Sequence, residues 1–252
     1  MGVVIESPAS NGWKTASRIE VPFDAAWEGF FSFGVDAKTS IRNLIAGKSA
    51  LSAVGALVYG DNYVDLTGAQ TAYFLTDIIN SSDMTVMATA MPLEEKGIAI
   101  ASNYQSTRAD ATGLCIGTSL SFDVGSNPSD GNVITRFNHA TLVSGVSTGA
   151  AAETSVASPI NEWYLVAGRC QNSNRVRNVY NLTAGTSGTN TPQLNPVDIG
   201  GPMRIGSAYN SQFPGKVRLC ELAIFSESLS DANFAALTQF MRQRALTKGV
   251  TV

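Results

Sequence analysis

Few side chains in this sequence can do acid, base or nucleophile chemistry, and their spacing argues against a reaction centre. The one histidine is His139, in RFNHA, so no multi-histidine metal site can be built from it. Its ordinary reading is a surface or strand-end residue. Cys115, Cys170 and Cys220 lie about fifty residues apart inside the apolar runs GLCIG, YLVAGRC and VRLCEL, with no CxxC spacing. They read as buried strand thiols rather than a redox pair, zinc ligands or a nucleophile. Glycoside hydrolysis needs carboxylates that project from one face of an element. Glu94 and Glu95 are adjacent and would point to opposite faces of an extended chain, and they sit between Pro92 and Gly97 in a turn-like stretch. There is no Gly-x-Ser-x-Gly elbow, no phosphate loop and no GxGxxG after a strand. An enzyme is the disfavoured class.

Binding chemistry is better represented. A sugar site needs an aromatic ring to stack on a pyranose and polar groups to bond its hydroxyls. Two loop-like stretches have that composition, SNYQSTRAD (102–110) and GSAYNSQFPG (206–215), and they nominate Asn103, Tyr104, Arg108, Tyr209 and Asn210. Each also has an ordinary reading as a turn residue or a subunit contact. Calcium takes Asp, Asn and backbone oxygens. Asp61 and Asn62 form a turn of suitable polarity, with Asp110 and Asp130 in other loops. Asx-type turn capping explains these four as well, and no EF-hand pattern is present.

The elements that must position these residues are mostly strands. Over 252 residues the chain is 44% hydrophobic, only 15% charged and contains 23 glycines, which gives it material for a large core punctuated by turns. A net charge of -3 provides no field for nucleic acid. No stretch approaches the roughly 18 apolar residues of a membrane span, and residues 1–10 lack the basic start of a secretory signal. A product that begins in a cytoplasm is expected. Short runs rich in Val, Ile, Thr and aromatics predict strands over 28–34, 56–59, 63–66, 84–91, 97–102, 113–122, 132–137, 163–170, 175–182, 203–205 and 216–225. The segment 228–247, with Ser230 as N-cap and Phe234, Leu237, Phe240 and Met241 at helical spacing, predicts a closing amphipathic helix. A short helical turn is expected near 69–79, and surface loops over 144–158 and 183–192. Trp13 and Trp27 are expected to anchor the opening segment to the core. The division expected is a single domain, 1–252, with 1–55 as its opening segment.

The segment 203–241 (MRIGSAYNSQFPGKVRLCELAIFSESLSDANFAALTQFM) resembles the ending of concanavalin A-like lectin and glucanase sandwiches of the laminin G-like or pentraxin-like sort. GDNYVDLTG, MTVMATAMP, and NEWYLVAGRC followed by NRVRNVYNLTAG fall in the order such domains show. The opening FFSFGVDAKTSIRNLIAGKSALSAVGALVYG is similar to the start of these domains in tailed-phage virion proteins. The resemblance implies an all-β fold, a two-sheet antiparallel jelly-roll sandwich with a C-terminal α-helix. It also implies a rim where many relatives hold calcium. The acidic residues that glucanases of this shape alternate along one strand have no counterpart in the sequence.

The resulting expectation is a non-enzymatic, lectin-like phage virion protein, assembled in the host cytoplasm, tail- or fibre-associated, and binding a host-surface glycan. Its partners would be other virion proteins and further copies of itself, a trimer by analogy. The alternative is a structural virion module, a capsid decoration or baseplate component, with no sugar site. A polysaccharide-degrading enzyme with carboxylates drawn from separate strands is the third reading.

Overall fold

The computed structural model describes residues 14, 18–124 and 129–252. Trp13 and the segment 1–10 lie outside them. Two antiparallel sheets form a sandwich. The first runs β16 (Thr186–Asn190), β15 (Val176–Asn181), β14 (Tyr164–Gln171), β6 (Met84–Pro92), β18 (Lys216–Phe225), β4 (Val64–Thr67) and β3 (Val58–Tyr59), with β1 (Trp27–Ser32) also pairing β18. The second runs β12 (Ala151–Glu153), β9 (Asn132–His139), β8 (Thr118–Val124), β7 (Ile98–Ser102), β17 (Pro202–Ile205), β5 (Tyr73–Ile79) and β2 (Ser52–Val54), with β13 (Ser158–Pro159) on β9. A separate hairpin, β10 (Thr141–Val143) with β11 (Val146–Thr148), stands at one end. One short helical turn, α1 (Ala37–Ser40), follows β1, and the long helix α2 (Asp231–Thr247) follows β18.

The apolar content of β6, β14 and β18 is explained by what covers each face. Their inward residues, Val86, Val166, Leu222 and Ile224 among them, pack against Phe74, Phe122 and Phe137 of the second sheet. Their outward residues Met87, Leu165, Ala223 and Phe225 join Trp27, Phe30, Leu229 and the helix residues Phe234, Leu237 and Met241 in a second cluster. A strand buried on both faces cannot show a two-residue alternation and reads as a continuous apolar run. Trp27 anchors the opening segment, its ring 4.2 Å from that of Phe225 and its Nε1 donating to Phe23 O. The helix begins where expected, with the Ser230 hydroxyl accepting from the Asn233 N–H. Because α2 roofs the first sheet, the second sheet has the less covered outer face: Ile134 and Arg136 of β9 are half-buried there, while Ser119 and Ser121 of β8 are buried.

Three expectations are corrected. Residues 69–79 carry no helical turn: Ala69 and Gln70 adopt positive φ in a tight reversal and Tyr73–Ile79 is strand β5. The loops expected over 144–158 and 183–192 hold β11, β12, β13 and β16, whose small side chains are paired through the backbone. Cys115 is buried but lies in a loop, while Cys170 and Cys220 are the strand thiols. Of the two positions expected for His139, the strand end is the one found: it closes β9 and is fully buried.

Candidate functional site

The two nominated loops meet. The Tyr209 N–H donates to Tyr104 O at 3.0 Å, and the rings of Tyr104 and Phe213 meet edge-on with centroids 5.8 Å apart. Gly206, at φ +85, provides the reversal that returns the second loop towards the first. Together they wall a cleft of about 200 Å³ on the outer face of the second sheet.

The floor of the cleft follows from strand alternation. In β8, TSLSFDV, Leu120 and Phe122 point into the core, so Ser119, Ser121 and Asp123 point out. The register pairs Ser119 with Asn138 and Ser121 with Arg136, which puts four polar side chains on one face beneath Tyr104 and Phe213. Ile116, Gly149 and Gln212 complete the lining. The Ser119 hydroxyl lies 2.7 Å from that of Ser102, whose oxygen accepts the Tyr104 N–H at 3.0 Å. That chain ties the aromatic wall to the polar floor. Asn138 is fixed by donating to Gly117 O and accepting from the Ala150 N–H. Arg136 is held between two carboxylates, Asp123 at 3.0 Å and Glu153 at 3.2 Å.

The remaining nominated residues are placed elsewhere or committed. Asn103 is fully buried, its amide bonding Asn80 Oδ1, Gly201 O and the Thr118 N–H. Arg108 straps its loop to the β10–β11 hairpin through Gly145 O and is paired with Asp110 and the buried Asp198. The Tyr209 hydroxyl donates to Pro202 O at 2.8 Å, and the Arg204 guanidinium lies 3.7 Å from its ring centroid. Asn210 caps its own turn by accepting the Gln212 N–H. Only Tyr104 among the five lines the cleft. Asp61 is exposed in the β3–β4 turn, and Asn62 donates to Lys248 O at 2.7 Å, closing the end of α2. Among the described residues no three His, Cys, Asp or Glu side chains gather closely enough to hold a metal ion.

Phe213, Gln212, Ser119, Ser121, Arg136 and Asn138 were missed as site residues. Phe213 sits in a stretch already singled out. The serines carried a readable signal, since Ser119, Ser121 and Asp123 alternate with Leu120 and Phe122.

The arrangement suits recognition of a polyol. The ring edges offer apolar contact, and the hydroxyls and amides offer hydrogen bonds. Acid–base machinery is poorly served. His139 Nδ1 sits 2.8 Å from Thr118 Oγ1 and Nε2 lies 3.2 Å from Ser82 O, so the Nε2–H tautomer satisfies both partners. Burial, with Arg177 adding to it, lowers its pKa to about 3. Glu95 accepts the N–H groups of Ser129, Asp130 and Gly131 and is a loop staple. Burial pushes the thiols of Cys170 and Cys220 up, to about 12 and about 11, far from a reactive thiolate. A larger cleft, about 470 Å³, lies between β14, β15 and the start of α2, but no aromatic ring lines it. Its Arg169 is spent on Asp231, Leu229 O and Tyr180.

No family model matches the sequence, and no curated protein matches it. Solved structures do match the fold. The receptor binding domain of botulinum neurotoxin C/D mosaic serotype superposes with a TM-score of 0.56 at 11% identity, over 86% of this chain and 52% of that one. The binding domain of Paraclostridial Mosquitocidal Protein 1 gives 0.57 at 15% identity, over 84% and 52%. Trypanosoma rangeli sialidase in complex with sialic acid gives 0.56 at 13% identity, over 87% and 34%. The chain thus spans about half the length of the toxin domains it matches. The shared feature is the lectin-like β-sandwich.

Proposed function

We propose that the protein is a non-enzymatic recognition module whose cleft on the second sheet binds a host-surface glycan. The observation that carries this reading is the convergence of Tyr104 and Phe213 over a floor of outward hydroxyl, amide and guanidinium groups. The use of this fold in toxin domains described as receptor-binding, and in a sialidase that holds sialic acid, supports it by analogy of fold. Placement on a phage tail or fibre, alongside other virion proteins and copies of the same chain, rests on the resemblance of residues 30–60 to virion domains. A rim calcium, with Asp61 contributing, belongs to the same reading.

The second reading, a docking block in a virion, is favoured by one feature. Val143 and Val146 are cross-strand partners at the tip of the β10–β11 hairpin and are 41% and 66% exposed. Two adjacent outward valines suit a neighbouring chain better than water.

Binding of the purified chain to intact bacterial cells and to their extracted polysaccharide separates these readings. The expected result is saturable binding with no release of sugar ends, and a loss of about tenfold or more in Phe213→Ala and Tyr104→Ala at unchanged melting temperature. Chelator sensitivity would implicate calcium. Absence of binding would favour the docking block, and released ends would restore the enzyme.

A further inference from the structure

We infer that the cleft selects electrically neutral sugars and rejects anionic ones such as sialate and uronate, an inference that rests on the glycan-binding reading above. Arg136 is the only charged residue that lines the cleft among the described residues. A free guanidinium on a sugar-binding floor would be a ready receptor for a carboxylate, since its planar donors match that anion in pairs. Here the guanidinium already faces two carboxylates, one through a hydrogen bond from Nη1 and one as an ion pair beside Nε. Arg136 Nη1 contacts Asp123 Oδ2 at 3.0 Å and Nε contacts Glu153 Oε1 at 3.2 Å.

The pairing is written into the sheet. Glu153 of β12 stands directly opposite Arg136 of β9, and Asp123 follows Ser121 on the same outward face of β8. One guanidinium against two carboxylates gives the cluster around Arg136, at the edge of the floor, a net charge of -1. An anionic ligand reaching for this guanidinium would stand at close range to both carboxylates, and like charges brought together in an interface are penalised strongly. A neutral sugar meets no such opposition. It needs only acceptors and donors, and these are present in the hydroxyls of Ser119 and Ser121 and the exposed amide of Gln212. Ser102 accepts the Tyr104 N–H, and its hydroxyl shares a hydrogen bond with that of Ser119 in which either can donate.

The test is a binding panel of neutral hexose and N-acetylhexosamine oligosaccharides against oligosaccharides ending in sialate or uronate, with the wild-type chain and the Asp123→Asn, Glu153→Gln double variant. Neutral sugars should bind with an affinity that barely changes between low and high salt, because no ion pair forms. Anionic sugars should bind at least about tenfold more weakly, and the double variant, which frees Arg136, should close that gap. All three carboxylate and guanidinium groups are partly exposed, so the variant should stay folded, and the single Glu153→Gln variant provides a milder version. Equal or tighter binding of anionic sugars by the wild type would overturn the inference while leaving the glycan site standing. Failure of both sugar classes to bind would overturn the site and the inference with it.

Discussion

Asn103 holds three hydrogen bonds that no water can replace, because the residue has no exposed surface. Asn103→Ala would orphan the buried Thr118 N–H and empty the centre of a network that includes Asn80 and Gly201. A loss of roughly 2–4 kcal/mol is expected, seen as an earlier urea midpoint. Tyr209 belongs to the same class. Removing its ring and its bond to Pro202 O should cost about 2 kcal/mol, or a fall of roughly 4–8 °C in Tm. Phe213→Ala, by contrast, should alter binding and leave Tm in place. A composition-based search finds residues of the right type in the right loop, but it cannot see which of them the fold has already used. Asn103, Tyr104, Arg108, Tyr209 and Asn210 were all legible as sugar-compatible groups, yet four of the five spend their polar atoms on internal partners.

Among the elements, α2 is docked partly by charge. Glu221 of β18 is fully buried and accepts from Arg244 Nε at 2.9 Å. Nearby, Lys248 donates to Ser32 Oγ and to the carbonyls of Phe33 and Cys220. Arg244→Ala would remove the ion-pair partner of a buried carboxylate and leave it the Ser32 hydroxyl, and a cost of roughly 3 kcal/mol is expected. The double variant Arg244→Met, Glu221→Met should cost less than the single one, because the desolvated charge goes with its partner. Calorimetric melts of the pair decide this. The helix was legible from Ser230 and its apolar stripe, and the long central strands from their apolar runs. β5 was not. Tyr73, Phe74, Leu75, Ile78 and Ile79 are spaced as a helix face would be, and the reversal that excludes a helix is made by Ala69 and Gln70 rather than by glycine. The strands over 144–158 and at 186–190 were hidden for another reason. Their Ser, Thr, Ala and Gly side chains bury little, so pairing through the backbone holds them and leaves no hydrophobic period to read.

At the scale of the molecule, one sheet is roofed by a helix and the other carries only loops over its outer face, and that asymmetry places the cleft on the second sheet. The second sheet is also where the pH response lies. His139 is the one histidine in the chain, and its pKa falls from 6.5 to about 3 in the folded state. The unfolded chain takes up a proton near pH 6.5 that the folded protein refuses until about pH 3. Stability present above pH 6.5 is therefore lost as pH falls through that window, at up to about 1.4 kcal/mol per pH unit. Denaturant midpoints between pH 7 and 5, above the range where carboxylates titrate, should show this slope in the wild type and lose it in His139→Gln. The central claim, that recognition occurs in the cleft between the two loops and β8, is tested most directly by a hydrogen-exchange footprint of the chain saturated with a glycan it binds. Protection is predicted in the loop around Tyr104, in β8 at Ser119 and Ser121, and in the loop carrying Gln212 and Phe213. Protection confined to the β10–β11 hairpin or to the cleft at the start of α2 would contradict the account.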